Sequence, residues 1–393
     1  MDIQYTRRLQ KIEAVLDKWL PEKPDSSWMD LVFGARENSA SRGIPAAPEL
    51  AESLTRPGRD LLSRGGKRWR PLLMLLTAEC INGENGATAA LPLTPLVEFC
   101  HNASLIHDDI EDNSDERRGK PAVHLLYGMD TAINSGAFLY FLPLACLSAW
   151  TEELSKDSPA HKWAERIWTA WASHMRALHL GQAMDISWHR DFYSLPGLNE
   201  YDRMCRLKTG CLARLAAVLG VYSACAGIFL SGDELPYSEL PEKFEADKYD
   251  GEFDAFEKVA AVFGEAAERL GVGFQILDDV KNLDKGVPGK KRGDDIIEGK
   301  KSLPVLLYLH RYPEKRDFAA RCFTAARSNG ISAPELEDFI SALEGAGILE
   351  EARAMGEAYI MDSRRIFGSP EAAGFPLKKE GTELLAGLID LLR

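Results

Sequence analysis

The chain has no CxxC pair among its seven cysteines (Cys80, Cys100, Cys146, Cys205, Cys211, Cys225 and Cys322), so neither a zinc site nor a disulfide framework is indicated. That usage predicts a reducing, cytoplasmic setting. A basic excess is lacking as well: 47 Lys and Arg stand against 60 Asp and Glu, a formal net charge of -13. This excludes the broad cationic face that a nucleic acid requires. The opening MDIQYTRRLQKIEAVLDKWL mixes charges throughout and has no apolar signal core, and no later stretch offers 18 uncharged apolar residues. The expectation is a soluble chain with no transmembrane segment. Sustained strand-like alternation is scarce, which leaves helices.

What the 393 residues do contain is a 45% hydrophobic and 27% charged balance, enough for a large interior and a soluble surface. Residues 6–20 place Leu9, Ile12, Val15, Leu16 and Trp19 on one helical face, and Pro21, Pro24 and the stretch 36–48 read as a connection. Residues 1–60 are therefore expected to form an N-terminal helical extension, and 61–393 one large core. From Leu61 onward, segments rich in Ala, Leu and Met follow at roughly 70–82, 89–108, 130–152, 160–185, 200–229, 254–279, 301–311, 315–328, 334–345, 348–365 and 378–392. The acidic, proline-interrupted stretch 231–253 reads as an exposed loop. The fold class expected is all-α.

Two acidic segments suggest chemistry. In HNASLIHDDIEDNSDERRGKPAVH, Asp108 and Asp112 are four residues apart and project from one helical face, where like charges repel unless a divalent cation lies between them. Magnesium suits such oxygen donors. In GVGFQILDDVKNLD, Asp278 and Asn282 repeat the spacing, with Asp279 and Asp284 beside them. The amide at 282 keeps a carbonyl oxygen but no charge, so this side is expected to hold metal more weakly and to rely on Asp278. Cations in short runs accompany both segments: Lys67, Arg68, Arg70, Arg117, Arg118, Lys290, Lys291, Arg292, Lys300 and Lys301. In an acidic chain, such clusters suit a small anionic ligand.

GGKRWRP at 65–71, DDIED at 108–112, RRG at 117–119, KTG at 208–210, FQILDD at 274–279 and GDDIIEGKKSLP at 293–304 resemble, in identity and order, the trans-isoprenyl diphosphate synthases of the polyprenyl synthetase family. The likeness extends from about Leu61 to the C-terminus and is greatest to the eukaryotic-type geranylgeranyl diphosphate synthases. It implies a helical bundle around a deep central cavity (the isoprenoid synthase type I fold), a homodimer, and two aspartate motifs facing one another at the cavity mouth. It also implies magnesium-dependent condensation of isopentenyl diphosphate with dimethylallyl, geranyl or farnesyl diphosphate. Carried over singly, Asp108, Asp112 and Asp278 match the magnesium ligands, with Asp109 and Asp279 in support. Lys67, Arg70, His101 and Arg118 match the residues that hold isopentenyl diphosphate. Arg117, Lys208, Thr209, Gln275 and Lys300 match those contacting the allylic diphosphate, joined by either Lys290 or Lys291. Asn282 departs from the third aspartate of many members and looks like the eukaryotic-type version.

Product length is expected from the residues one turn before Asp108, about 5.4 Å along the helix. These are Ala103 and Ser104, both small, whereas farnesyl-producing relatives place a bulky ring near there. Passage beyond fifteen carbons follows. Tyr140, Phe141 and His179, in INSGAFLYF and HLGQAMDISW, resemble the bulky floor of the geranylgeranyl synthases, which implies a twenty-carbon product. A farnesyl or longer-chain synthase is the alternative. A terpene cyclase needs no second diphosphate pocket and is opposed by Lys67, Arg70 and Arg118. An inactive partner subunit would have lost the aspartate motifs, and both are present.

Overall fold

A computed structural model describes residues 3–34, 48–154, 160–231, 250–284, 292–369 and 376–392. Most of the connection expected at 36–48, most of the acidic stretch 231–253, and Lys290 and Lys291 lie outside these residues. Among those described, the only strands are Glu116–Arg117 (β1) and Lys120–Pro121 (β2), one antiparallel hairpin. Its two turn residues, Arg118 and Gly119, both have positive φ, the geometry that two-residue hairpin loops favour. All other regular structure is helical, so the chain is all-α.

The chain divides into two compact units, the first being Met1–Trp171, Val218–Phe256 and Pro376–Thr382. It contains α1 (Ile3–Trp19), α2 (Ser26–Phe33), α3 (Pro48–Ser63), α4 (Trp69–Ala90), α5 (Pro95–Glu111), α6 (Val123–Tyr127), α7 (Met129–Glu152) and the start of α8 (Ala160–Arg190). Every residue of α4 from Trp69 to Ile81 is buried, as a helix apolar on all sides must be. Its helical path breaks at Asn82 and Gly83. Close approach of α5 and α7 depends on Gly136, where an added Cβ would fall 2.7 Å from His107 Nε2. On the same helix, the Ser135 hydroxyl donates to the Leu54 carbonyl of α3 at 2.7 Å. α1 buries Tyr5, Ile12, Leu16 and Trp19 and is tied to α4 by Arg8, which donates twice to Glu79 at 2.7 Å. Residues from the far end of the sequence complete this unit. The Lys378 N–H donates to the Cys80 carbonyl at 2.8 Å, and a Cβ on Gly381 would stand 2.6 Å from Cys80 N.

The second unit is Ala172–Ala217, Glu257–Phe375 and Glu383–Arg393. It takes the rest of α8, then α9 (Leu198–Cys205), a π-helical turn at Arg206–Gly210, the start of α10 (Cys211–Ser231) and most of α11 (Asp250–Asp284). α12 (Asp294–Glu298), α13 (Leu303–Arg311), α14 (Arg316–Asn329), α15 (Pro334–Gly345), α16 (Ile348–Phe367) and most of α17 (Lys379–Leu392) follow. Its core joins Leu306, Leu336, Ile340 and Leu343 to a group of rings in which Phe339 meets Phe323 at 5.7 Å and Tyr308 at 5.9 Å. Burying each such side chain contributes roughly 1.5–3 kcal/mol.

Two stretches, Met129–Glu152 and Leu198–Ile228, have the length and apolar character to cross a membrane. The sequence reading had expected none. In the second, 94% of the window is buried within the protein, the mark of a core element, against 44% in α7.

Candidate active site

In α5 the residues His101, Ser104, Leu105, Asp108 and Asp112 form a half-buried row at helical spacing, while Asn102, Ala103, Ile106 and Asp109 turn inward. Asp112 caps the helix, its N–H donating to the Asp108 carbonyl at 2.8 Å, so the two carboxylates share one face as expected. Asp109 is fully buried and accepts from Arg117 Nε at 2.8 Å. The hairpin sends consecutive arginines in different directions. Arg117 goes to Asp109, whereas Arg118 Nη1 donates to the Leu61 carbonyl at 3.0 Å and to Asn102 Oδ1 at 3.4 Å.

The GGKRWRP segment supplies the other cations of this unit. Lys67 is exposed after two glycines at φ +90 and +139, and Arg70 is buried in the first turn of α4. Arg70 Nη1 lies 3.3 Å from His101 Nε2, and its guanidinium stands over the Trp69 ring at 4.4 Å. Burial, reinforced by Arg70, Arg118, Arg68 and Arg117, holds the His101 pKa well below the ordinary imidazole value, so the ring is neutral at pH 7. Burial also pulls Arg118 down to about 10, which leaves it charged. The structure thus brings Arg70, His101 and Arg118 together in a cationic cluster suited to phosphate oxygens.

Of the residues expected to govern product length, Ala103 is fully buried, and the Ser104 hydroxyl donates to the His101 carbonyl at 2.9 Å. Tyr140 is buried with its ring 5.7 Å from that of His107, one residue before Asp108. Phe141 points outward, 64% exposed. His179 belongs to the second unit, exposed on α8 with Nδ1 2.8 Å from the Met175 carbonyl.

In the second unit Lys208 and Thr209 occupy the π-helical turn, a local widening often found at functional sites. Lys208 Nζ donates to Asp185 Oδ2 at 2.6 Å, and Gly181 permits the approach, since a Cβ there would lie 2.5 Å from Lys208 N. The Thr209 hydroxyl donates to Gln275 Oε1 at 2.8 Å, and Gln275 Nε2 donates to Asp279 Oδ1 at 2.8 Å. Asp279 also accepts from the Tyr201 hydroxyl at 2.7 Å and the Leu303 N–H at 3.1 Å. Burial, then the nearby Asp295 carboxylate, raises its pKa to about 7. Asp278 is half-buried beside Gln275 in the row that α11 leaves partly open. Lys300 pairs with Glu298 and lies 4.0 Å from Asp295.

Asn282 is turned elsewhere. Its Oδ1 accepts from the Asp295 N–H at 3.3 Å, and its carbonyl accepts from the Gly293 N–H at 3.0 Å, so it anchors the segment that leads to Lys300. A carboxylate here would be a third buried acid beside Asp279 and Asp295, a cost that the amide avoids. Asp284 is paired with Arg353 of α16 at 3.1 Å.

Among the described residues no three His, Cys, Asp or Glu side chains converge into a metal cage. Magnesium needs none, because one or two carboxylates hold it while water and substrate phosphate complete the octahedron. Asp108 and Asp112 on one face of α5 offer such a pair of hard oxygens, which fits a divalent cation, and Asp278 of the second unit offers another by itself. The supporting residues Glu98, Asn102, Asp185, Tyr201, Asp295 and Glu298 escaped the sequence reading. Asp185 stands in HLGQAMDISW, a segment read there for chain length alone, and Glu98 and Asn102 share the apolar run before Asp108.

The sequence model of the family described as polyprenyl synthetase matches residues 51–228 and 253–335. The geranylfarnesyl diphosphate synthase of Aeropyrum pernix is 30% identical over 341 residues, 84% of this chain and 91% of that protein. The geranylgeranyl pyrophosphate synthase of Geoglobus acetivorans is 32% identical over 311 residues, 79% and 82% of the two chains. The crystal structure of polyprenyl synthase from Caulobacter crescentus, complexed with calcium and isoprenyl diphosphate, superposes with a TM-score of 0.67 at 21% identity, covering 98% of this chain and 95% of the other. The all-α architecture is therefore that of the isoprenoid synthases.

Proposed function

Since the chain belongs to the polyprenyl synthetase family, we propose that it is a magnesium-dependent trans-prenyltransferase that joins isopentenyl diphosphate to an allylic diphosphate and releases chiefly the twenty-carbon product. The observation that carries this reading is the row on α5. His101, set among Arg70 and Arg118, and Asp108 are seven residues apart, about 10 Å along the helix. The same helix therefore meets a cationic cluster at His101, built by Arg70 of α4 and Arg118 of the hairpin, and carries a carboxylate pair at its end, the two means of holding two diphosphates. A terpene cyclase would need only the second.

Asp108 and Asp112, and separately Asp278, would hold magnesium, which when bound would supply positive charge to the diphosphate that departs as the allylic C–O bond ionises. Arg117, Lys208 and Lys300 add fixed cations, each held beforehand by a carboxylate: Asp109, Asp185 and Glu298 respectively. Such prior orientation lowers the reorganisation needed when charge develops. Lys67, Arg70 and Arg118 grip the isopentenyl diphosphate, and neutral His101 adds one N–H donor without taking up a proton. Held there, the isopentenyl double bond adds to the allylic cation in an effectively unimolecular step. The departing diphosphate then takes the proton lost from the adduct. Buried Ala103 and the apolar flank of α5 keep water from the cation.

Small side chains at 103 and 104, with Tyr140 buried on α7, support the twenty-carbon product. A twenty-five-carbon product is the second reading, favoured by the outward-pointing Phe141 and by the Aeropyrum relative's name. A homodimer is part of the proposal, because Leu125, Leu126, Met129, Ile133 and Phe141 expose apolar surface on α6 and α7. The seven free, buried cysteines suit the cytoplasm.

The test is incubation of purified protein and magnesium with labelled isopentenyl diphosphate and, separately, dimethylallyl, geranyl or farnesyl diphosphate. Geranylgeranyl diphosphate is expected from the wild type and none from Asp108→Ala or Asp278→Ala. Folded variants that condense at full speed with all metal chelated would sink the proposal.

A further inference from the structure

α1 lies outside the family match, which begins at residue 51, yet one of its side chains reaches the cationic cluster. Glu13 accepts from Arg68 Nε at 2.8 Å; the two side chains are 42% and 4% exposed. Arg68 Nη1 also donates to Glu98 Oε1 at 3.2 Å and to the Gly65 carbonyl at 3.1 Å. Glu98 accepts in turn from Asn102 Nδ2 at 3.0 Å, and Asn102 Oδ1 accepts from Arg118 Nη1 at 3.4 Å. A continuous relay therefore runs from Glu13 through Arg68, Glu98 and Asn102 to Arg118. Its three middle members are buried.

Backbone conformation gives the relay a purpose. Arg68 has φ +47, a left-handed value that a non-glycine residue keeps only where its surroundings impose it, while Arg118 takes φ +54 from the hairpin turn. Between the two lies Gly66, where a Cβ would come within 2.8 Å of Arg68 Nη1 and 3.3 Å of Arg118 Nη2. Two guanidinium groups this close in a buried setting need negative charge, and Glu98 alone supplies one carboxylate for both. Glu13 supplies the second. It stands next to buried Ile12 on a helix that Arg8 fixes to α4, so its position is set by α1.

We propose that Glu13 is a positioning residue of the isopentenyl diphosphate subsite, and that α1 serves to fix Arg68 and, through Glu98 and Asn102, the aim of Arg118. The inference rests on the prenyltransferase reading above. Without the Glu13 carboxylate, Arg68 draws on Glu98 alone, Asn102 loses its share, and Arg118 swings from the diphosphate it holds. Asp108, Asp112 and Lys208 form no part of the relay, so the allylic subsite is spared.

Steady-state kinetics on the full chain tests this. In Glu13→Gln, KM for isopentenyl diphosphate is expected to rise about tenfold, with kcat and the allylic KM within about twofold of wild type. Glu13→Asp should restore much of the loss. Arg68→Lys, which keeps the charge but not the fork, should reproduce the selective rise should Glu13→Gln fail to fold. A folded Glu13→Gln enzyme with unchanged isopentenyl KM overturns the inference, as does a loss of kcat in step with melting temperature. A wild-type chain that condenses nothing overturns the functional reading and this inference with it, whereas an active wild type with an indifferent Glu13→Gln overturns this inference alone.

Discussion

Lys301 shows how far a residue's setting can depart from its appearance in the sequence. Read as one of a run of cations, it is 2% exposed, with Nζ 4.6 Å from the Phe323 ring, 5.8 Å from Phe192, and donating to the Gly299 carbonyl at 3.0 Å. Burial, opposed by Asp191 and aided by Arg327, lowers its pKa to about 8. The sign follows. Between the folded value and the ordinary 10.5 the unfolded chain binds more protons, so stability rises with pH across that window. From pH 8 to pH 9 the wild type is expected to change in stability more favourably than Lys301→Met by about 1 kcal/mol in urea denaturation, the buried cysteines acting alike in both. Equal slopes for the two proteins would show that the ammonium is not buried as described.

Among the elements, α5 and α7 hold most of the residues proposed to set product length. Ala103 is fully buried on α5, so a ring there has to displace either its neighbours or the growing chain. Ala103→Phe is expected to shorten the product to fifteen carbons or fewer, read by chromatography of the dephosphorylated alcohols. An unchanged profile would remove Ala103 from the channel wall. The long helices were legible in the sequence because apolar periodicity over three or more turns has few rival explanations. Other features were not. The stretch 200–229 reads as one helix, whereas the chain inserts a π-turn at Arg206–Gly210, which shifts the register by about one residue without altering composition. α2, α3, α6 and α12 went unread, the last two because five residues are too few to display a period. Asn282 was weighed as a metal ligand from its spacing, since nothing local discloses that Asp295 arrives to use its amide.

For the whole molecule, family membership rests on ordered motifs that sequence alone made visible, while their supports, such as Asp185 for Lys208, come from segments distant in the chain. The likeness to eukaryotic-type members is accompanied by relatives from Aeropyrum and Geoglobus. Only 44% of the α7 window is buried in the single chain, and Ile133 and Phe141 are exposed two turns apart, a surface that invites a second copy. Light scattering is expected to give twice the chain mass for wild type and the single mass for Ile133→Asp with Phe141→Asp. A monomeric wild type would contradict the assembly and leave the chemistry of the separate units to be judged on its own assay.

The bond from Lys378 to Cys80 makes the first unit depend on a segment synthesised about 300 residues after α4. With about 300 residues between them and translation at about 5–20 residues per second, the groove on α4 that receives Gly381 waits roughly 15 to 60 s for its occupant. During that interval the Cys80 carbonyl and thiol lack the Lys378 and Thr382 partners that they have in the folded chain.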